Sequence, residues 1–165
     1  GRSVLGKSIG PATRFSVGGA FNPHVRHLKA AVKRMERKID AGAEYFLTQP
    51  IYDIALIEEV YEATKHLEQP IFIGIMPLVS KRNADFLHFE VPGITLPEAV
   101  RERMDGHETK EAAIEEGIRI SQELIDETMK YFNGIYLITP FLKYEITEHL
   151  VKYVREKQEV KEGIN

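Results

Sequence analysis

Six cations, Arg26, Lys29, Lys33, Arg34, Arg37 and Lys38, fall within thirteen residues. Arg34, Arg37 and Lys38 occupy adjacent turns of a helical pattern, so one diphosphate could meet all three, although such a run also serves as a solvated helix face. Gln49 closes a short apolar run at the point where βα-barrel enzymes place their chemistry, and its amide offers a heterocycle both a donor and an acceptor. Its plainer use is to staple a loop. Asn83 follows the third apolar run at a comparable level, where a helix-surface amide is the alternative. His24 and His27 flank Arg26 at a spacing that helical zinc sites do not use, and His66, His88, His107 and His149 are scattered, so no metal site is read. Neither a serine nucleophile elbow nor a G-x-G-x-x-G fingerprint occurs. The stretch Gly1-Arg2-Ser3-Val4-Leu5-Gly6-Lys7-Ser8 matches a phosphate-binding P-loop in form only. That loop must follow a strand and open a helix, and Ile9-Gly10-Pro11 cannot begin one, so a P-loop phosphohydrolase is set aside.

The elements that must position these residues are legible from periodicity. Arg14 to Phe21, Tyr45 to Gln49, Ile71 to Met76 and Gly134 to Thr139 are rich in β-branched or aromatic residues and read as buried strands. Each runs into a proline, Pro23, Pro50, Pro77 or Pro140, which cannot continue a ladder. Gly18-Gly19 marks a backbone brought close to a ligand or a neighbouring strand. Between the strands, Val25 to Ala41 carries Leu28, Val32, Met35 and Ile39 at helical spacing and stops at Gly42. Asp53 is the expected N-cap of a helix over Ile54 to Leu67. Val79 to Phe89 predicts a shorter helix, a loop with Pro92, Gly93 and Pro97 leads to Glu98–Met104, and Thr109 to Tyr131 predicts a long one. Tyr144 to Val154 gives the last, with the residues from Glu156 expected to fray. The order β-α-β-α-β-α-α-β-α predicts an α/β fold with parallel strands and right-handed crossovers, either a small doubly wound sheet or part of a (β/α)8 barrel.

Composition narrows the function. The 165 residues hold 22 Lys+Arg against 25 Asp+Glu, a net charge of −3 that gives no electrostatic reason to bind nucleic acid. With no cysteine, the sequence excludes disulfides, thiolate catalysis and Cys-ligated metals. No apolar run reaches the roughly 18–20 residues that span a bilayer, and Gly1-Arg2-Ser3 lacks a signal-peptide layout, so a cytoplasmic protein is expected. Without an initiator Met, the chain is expected to be a processed product or part of a longer protein.

Three stretches together resemble one family. Ser16-Val17-Gly18-Gly19-Ala20-Phe21-Asn22-Pro23, the run from Arg37-Lys38-Ile39-Asp40-Ala41-Gly42-Ala43 through Thr48-Gln49-Pro50-Ile51-Tyr52-Asp53, and Gly74-Ile75-Met76-Pro77 are similar to methylenetetrahydrofolate reductase. The Asn-Pro-His and Thr-Gln-Pro variants resemble the reductase half of bacterial bifunctional proteins that also carry a homocysteine S-methyltransferase domain. The resemblance covers nearly the whole chain, but only strands five to eight of the family's barrel. It implies a partial TIM (β/α)8 barrel of four βα units over residues 1–165, with irregular ends at 1–12 and 156–165. It also implies FAD as cofactor, NAD(P)H as reductant and 5,10-methylenetetrahydrofolate as substrate, reduced to 5-methyltetrahydrofolate in one-carbon and methionine metabolism. Carried over by position, Gln49 and Asn83 fall on folate-contacting amides and Leu87 on an apolar position that stacks on folate. Arg37 and Lys38 fall on cations near the FAD diphosphate, Arg34 on a polar position of that set, and Phe21 and Asn22 in the loop lining the cofactor.

Departures accompany the match. Ala31 stands where the family has an acidic cofactor contact, and Leu142 where an arginine helps to bind substrate. The glutamate proton donor and the flavin-tuning aspartate belong to the absent half, so the chain alone is expected to be catalytically incompetent. An isolated half-barrel would also forgo about 12–36 kcal/mol if each strand left two or three apolar side chains uncovered. The expectation is therefore self-association, or pairing with an N-terminal half. A non-catalytic half-barrel that self-associates without flavin is the alternative.

Overall fold

In this computed structural model, which describes residues 1–3, 5–11 and 14–162, every strand has two different faces. Along β2 (Tyr45–Pro50) Phe46, Thr48 and Pro50 are buried while Tyr45, Leu47 and Gln49 are not, the period of two expected of a strand covered on one side. In β3 (Ile71–Ile75), Ile71, Ile73 and Ile75 are buried on that same side. β1 (Gly18–Phe21) and β4 (Ile135–Leu137) complete one parallel sheet in chain order, β1-β2-β3-β4.

The helices are α1 (Leu28–Asp40), α2 (Ile54–Thr64), α3 (Lys81–Phe89), α4 (Glu98–Arg103), α5 (Lys110–Tyr131) and α6 (Tyr144–Glu162). Side-chain caps start three of them. Asp53 accepts from Ala55 N at 3.0 Å, Ser80 from Asn83 N at 3.1 Å and Thr109 from Ala112 N at 3.1 Å. α1 packs on α2, α2 on α5 and α5 on α6. With strands in sequential order and right-handed crossovers, that succession stands the helices in one row on one face. A doubly wound sheet needs a reversal of strand order to clothe both faces, and there is none. The fold is α/β, a partial (β/α)8 barrel wall with its inner face open.

Two glycines permit close approaches that the fold requires. Between the pairs Leu47↔Phe72 and Pro50↔Gly74, β2 places two residues where β3 places one, a bulge at Thr48-Gln49. A Cβ on Gly74 would lie 2.8 Å from Thr48 O, so only glycine lets the bulged strand cross there. In α5, a Cβ on Gly117 would overlap the backbone of Leu78 in the loop after β3.

Some boundaries differ from the expectation. β1 starts at Gly18 rather than Arg14, because 14–17 are exposed and held to β2 only through Val17 and Glu44. α1 starts at Leu28 rather than Val25, and Glu98–Arg103 is a helix of its own. The last helix continues through Glu156 to Glu162. The amino-terminal residues fold back on themselves, Arg2 bridging Ser8 antiparallel and Ser3 N donating to Lys7 O at 2.8 Å. They fold as an antiparallel bridge and open no helix among the described residues, which does not fit the P-loop geometry; Val4, Ala12 and Thr13 lie outside the described residues.

Candidate functional site

Gln49 lies in the β2 bulge. It is exposed at the carboxyl end of β2, on the open face with Tyr45 and Leu47, and its amide makes no hydrogen bond among the described residues. Around it the backbone is fixed. Thr48 Oγ1 accepts from Gly74 N at 2.7 Å, replacing the ladder bond that the bulge interrupts, and Ile51 N donates to Gly74 O at 3.0 Å. His24 Nε2 lies 2.9 Å from Pro50 O and joins the loop after β1 to the residue after Gln49. Burial lowers the His24 pKa, outweighing Pro50 O and Asp53, so the neutral ring donates Nε2–H to that carbonyl. Tyr52 OH donates to Met76 O at 2.8 Å, and burial raises this phenol far above its usual range. These bonds hold the ends of β1, β2 and β3 in one rim.

Asn83 is buried in the first turn of α3, where Oδ1 accepts from Val79 N at 3.3 Å and Nδ2 has no partner among the described residues. With Ser80, Arg82, Phe86 and Phe141 it lines a cleft of about 310 Å³ between the start of α3 and the turn Pro140–Leu142. Leu87, one turn later, packs into the helix-side core at 5% exposure instead of facing that cleft. Gln49 is not one of the cleft's walls. Leu142 is 89% exposed and follows Phe141, which is 68% exposed. Both adopt left-handed backbone, with φ of 59° and 48°.

The β1 side differs from the sequence expectation. Phe21 ends β1 with its ring in the helix-side core at 3% exposure, so it does not line the open face. Asn22 is half-buried, and its Oδ1 accepts from His24 N at 2.9 Å. Arg34, Arg37 and Lys38 are exposed on α1, and Arg34 and Arg37 form no ion pair among the described residues. They do not all share a mouth with Gln49. α1 runs back along the sheet, and its last turn, carrying Arg37 and Lys38, sits beside Val17 and Glu44 at the amino ends of the strands. Gln49 is five residues further along β2, about 17 Å away at strand rise. Lys38 alone climbs back, donating from Nζ to Ala20 O at 2.6 Å, level with Leu47.

Sequence reasoning missed His24, Thr48 and Gly74 as the frame of the rim. Only the Gly within the apolar Ile71–Met76 run signalled a close approach. Among the described residues no group of acidic residues and histidines is arranged to hold a metal, and no helix is long and apolar enough to cross a membrane.

An open parallel wall, helices outside and an unengaged amide at the carboxyl rim together define the ligand-facing side of a βα-barrel protein. More narrowly, the chain matches the family model for methylenetetrahydrofolate reductase over residues 9–158, and it belongs to that family, by family an oxidoreductase. Among solved structures, an uncharacterized protein from Clostridium thermocellum, described as binding two copies of 5-methyl-5,6,7,8-tetrahydrofolic acid, is similar in fold, with a TM-score of 0.58 and 22% identity. The match covers 80% of this chain and 50% of that one, so the chain spans about half its length.

Proposed function

We propose that this chain supplies the folate-facing half of a methylenetetrahydrofolate reductase, which reduces 5,10-methylenetetrahydrofolate to 5-methyltetrahydrofolate with electrons from NAD(P)H. The observation that carries this reading is Gln49, an amide left free at the rim, in a bulge that Thr48, Gly74 and His24 hold in place. An amide so placed can pair with the donor–acceptor edge of a pterin. Asn83 Nδ2, buried beside the second cleft without a partner among the described residues, fits a further polar contact. Leu87 is buried in the core one turn after Asn83, and Phe86 and Phe141 give the cleft an apolar wall.

The residues present fit FAD in part. The inner surface of β1 carries only Gly18 and Ala20, which leaves a bare floor for a flat ring, and Lys38, the α1 cation that reaches Ala20 O, offers a charge to a diphosphate, with Arg34 and Arg37 set further back on α1. When bound, FAD supplies the hydride relay between nicotinamide and folate. The chain's own residues orient the folate and neutralise the diphosphate; Asn22 and His24 hold the loop beside them. Along the strands the open face presents no carboxylate, so the reading includes no turnover by the isolated chain. The setting we infer is the cytoplasm and one-carbon metabolism.

Calorimetric titration of 5-methyltetrahydrofolate into the chain, with and without FAD, tests this. Binding is expected, and Gln49→Ala should weaken it about tenfold, the cost of one good hydrogen bond to a desolvated group. Equal affinity in the variant, or an enzyme-like rate of methylenetetrahydrofolate reduction by the chain alone, would refute the reading.

A further inference from the structure

The ends of the strands opposite Gln49 hold a cavity that binding at the rim does not use. It measures about 330 Å³ and opens between the last turn of α2 and the end of α5, beside the first residues of β3 and the turn that leads into β4. Tyr61, Thr64, Glu68, Phe72, Tyr131 and Phe132 are its telling walls. They come from elements that pack on one another within this chain, α2 on α5 and β3 on β4. In a βα-barrel this end ordinarily serves stability, for which close packing is the usual solution and an open cavity is not.

Aromatic surface and negative charge meet there. The ring of Tyr61 stands at 87° to that of Phe132, with centroids 5.8 Å apart, and at 36° to that of Tyr131, 5.1 Å away. Two rings at right angles make a corner, and all three line the cavity while only half-buried. Both α2 and α5 end at this cavity, so the negative poles of two helices converge on it. Lys65 in its wall is engaged by Glu62 at 2.6 Å, whereas Glu68 forms no ion pair among the described residues. Desolvation first, and then Glu58 and Glu127, raise the Tyr131 phenol above its usual range. An anion would meet an opposing field here, and a plain hydrocarbon would leave the charge unused.

We propose that this cavity is a site for a small organic cation of the quaternary-ammonium class, seated in the corner of Tyr61 and Phe132, with Tyr131 as a third wall and Glu68 beside it. A methylated ammonium needs no hydrogen-bond acceptor, and the negative faces of the rings attract it. The site lies at the other end of the strands from Gln49, so its test uses no folate and no flavin.

Titration of the chain with choline, read by two-dimensional ¹H–¹⁵N spectra, decides it, with the uncharged isostere 3,3-dimethylbutan-1-ol as the comparison. Choline should move the backbone amides of Asn133 and Gly134 saturably, and the alcohol should bind at least about fivefold more weakly. Tyr61→Leu and Phe132→Leu should each weaken choline by about fivefold, and Tyr61→Phe, which keeps the ring, should retain it. Far-UV circular dichroism checks that these variants are folded, and the comparison of the two probes on the unaltered chain needs no variant. No saturable shift at high millimolar choline, equal binding of the alcohol, folded leucine variants that bind choline normally, or a Tyr61→Phe variant as weak as Tyr61→Leu would each overturn the proposal.

Discussion

Replacing Gly74 by alanine attacks the bulge that carries Gln49. The added Cβ would stand 2.8 Å from Thr48 O and 3.2 Å from both the carbonyl carbon and oxygen of Gln49, all backbone atoms that cannot swing aside. Relieving the overlap moves β2 away from β3 by several tenths of an ångström. Strain of that kind costs about 1–3 kcal/mol. The buried bond from Gly74 N to Thr48 Oγ1, 2.7 Å long, lengthens with it, adding about 0.5–1.5 kcal/mol. The total of about 2–4 kcal/mol should lower the urea midpoint by about 1–2 M, and folate affinity should fall as the amide at position 49 is displaced. Gly18→Ala is the control. Its Cβ would meet the Tyr45 ring at 2.6 Å, but that half-exposed side chain can turn away, so the loss should stay below about 1 kcal/mol. If the two substitutions destabilise equally, or if Gly74→Ala costs less than about 0.5 kcal/mol, the bulge does not hold Gln49 in the way described.

Other consequences follow from the same contacts. Thr48→Val keeps the shape but leaves the buried Gly74 N–H without an acceptor, so chemical denaturation should show a loss of about 1–3 kcal/mol; no loss would mean that another group satisfies it. Leu142→Gly removes little packing from an 89% exposed residue and relieves a φ of 59°, so thermal melts should show a gain of about 0.5–1 kcal/mol, and a lower melting temperature would contradict the strain. His24 has a lowered pKa in the folded chain, so between that value and 6.5 the unfolded chain binds more protons than the native one. Its contribution is fully present above pH 6.5 and is lost as pH falls through the folded value. His24→Gln should flatten the stability profile below pH 6.5, and an unchanged slope would assign the acid sensitivity elsewhere.

How much of this was legible in the sequence depends on the range of the forces involved. Helix faces and strand alternation are local, so Leu28, Val32 and Met35 on α1 and Ile71, Ile73 and Ile75 on β3 announced their elements by spacing alone. The position of Gln49 at a strand end was legible for the same reason. The bulge beside it was not, because it depends on Thr48 supplying an acceptor to a glycine 26 positions later. Pro50 was expected to stop the strand beforehand. It is instead the last strand residue, at the bulge where its missing N–H goes unneeded. The cations show the opposite error. Adjacent helical turns made Arg34, Arg37 and Lys38 look like one site, but a crossover helix returns the chain to the amino ends of the strands, and only the reach of Lys38 bridges part of the gap. Phe21 and Leu87 read as ligand-lining by resemblance, and the alternation of their own elements turns both into the core.

The central claim is that the amide of Gln49 faces a folate. Two-dimensional ¹H–¹⁵N spectra of the labelled chain, with the Gln49 side-chain NH₂ pair assigned by its loss in Gln49→Glu, measure this directly. Titration with 5-methyltetrahydrofolate should move that pair saturably, together with the backbone amides of Gly74 and Ile51. A folate that binds while the Gln49 pair stays still, or that leaves the whole spectrum unchanged at millimolar concentration, would contradict the account.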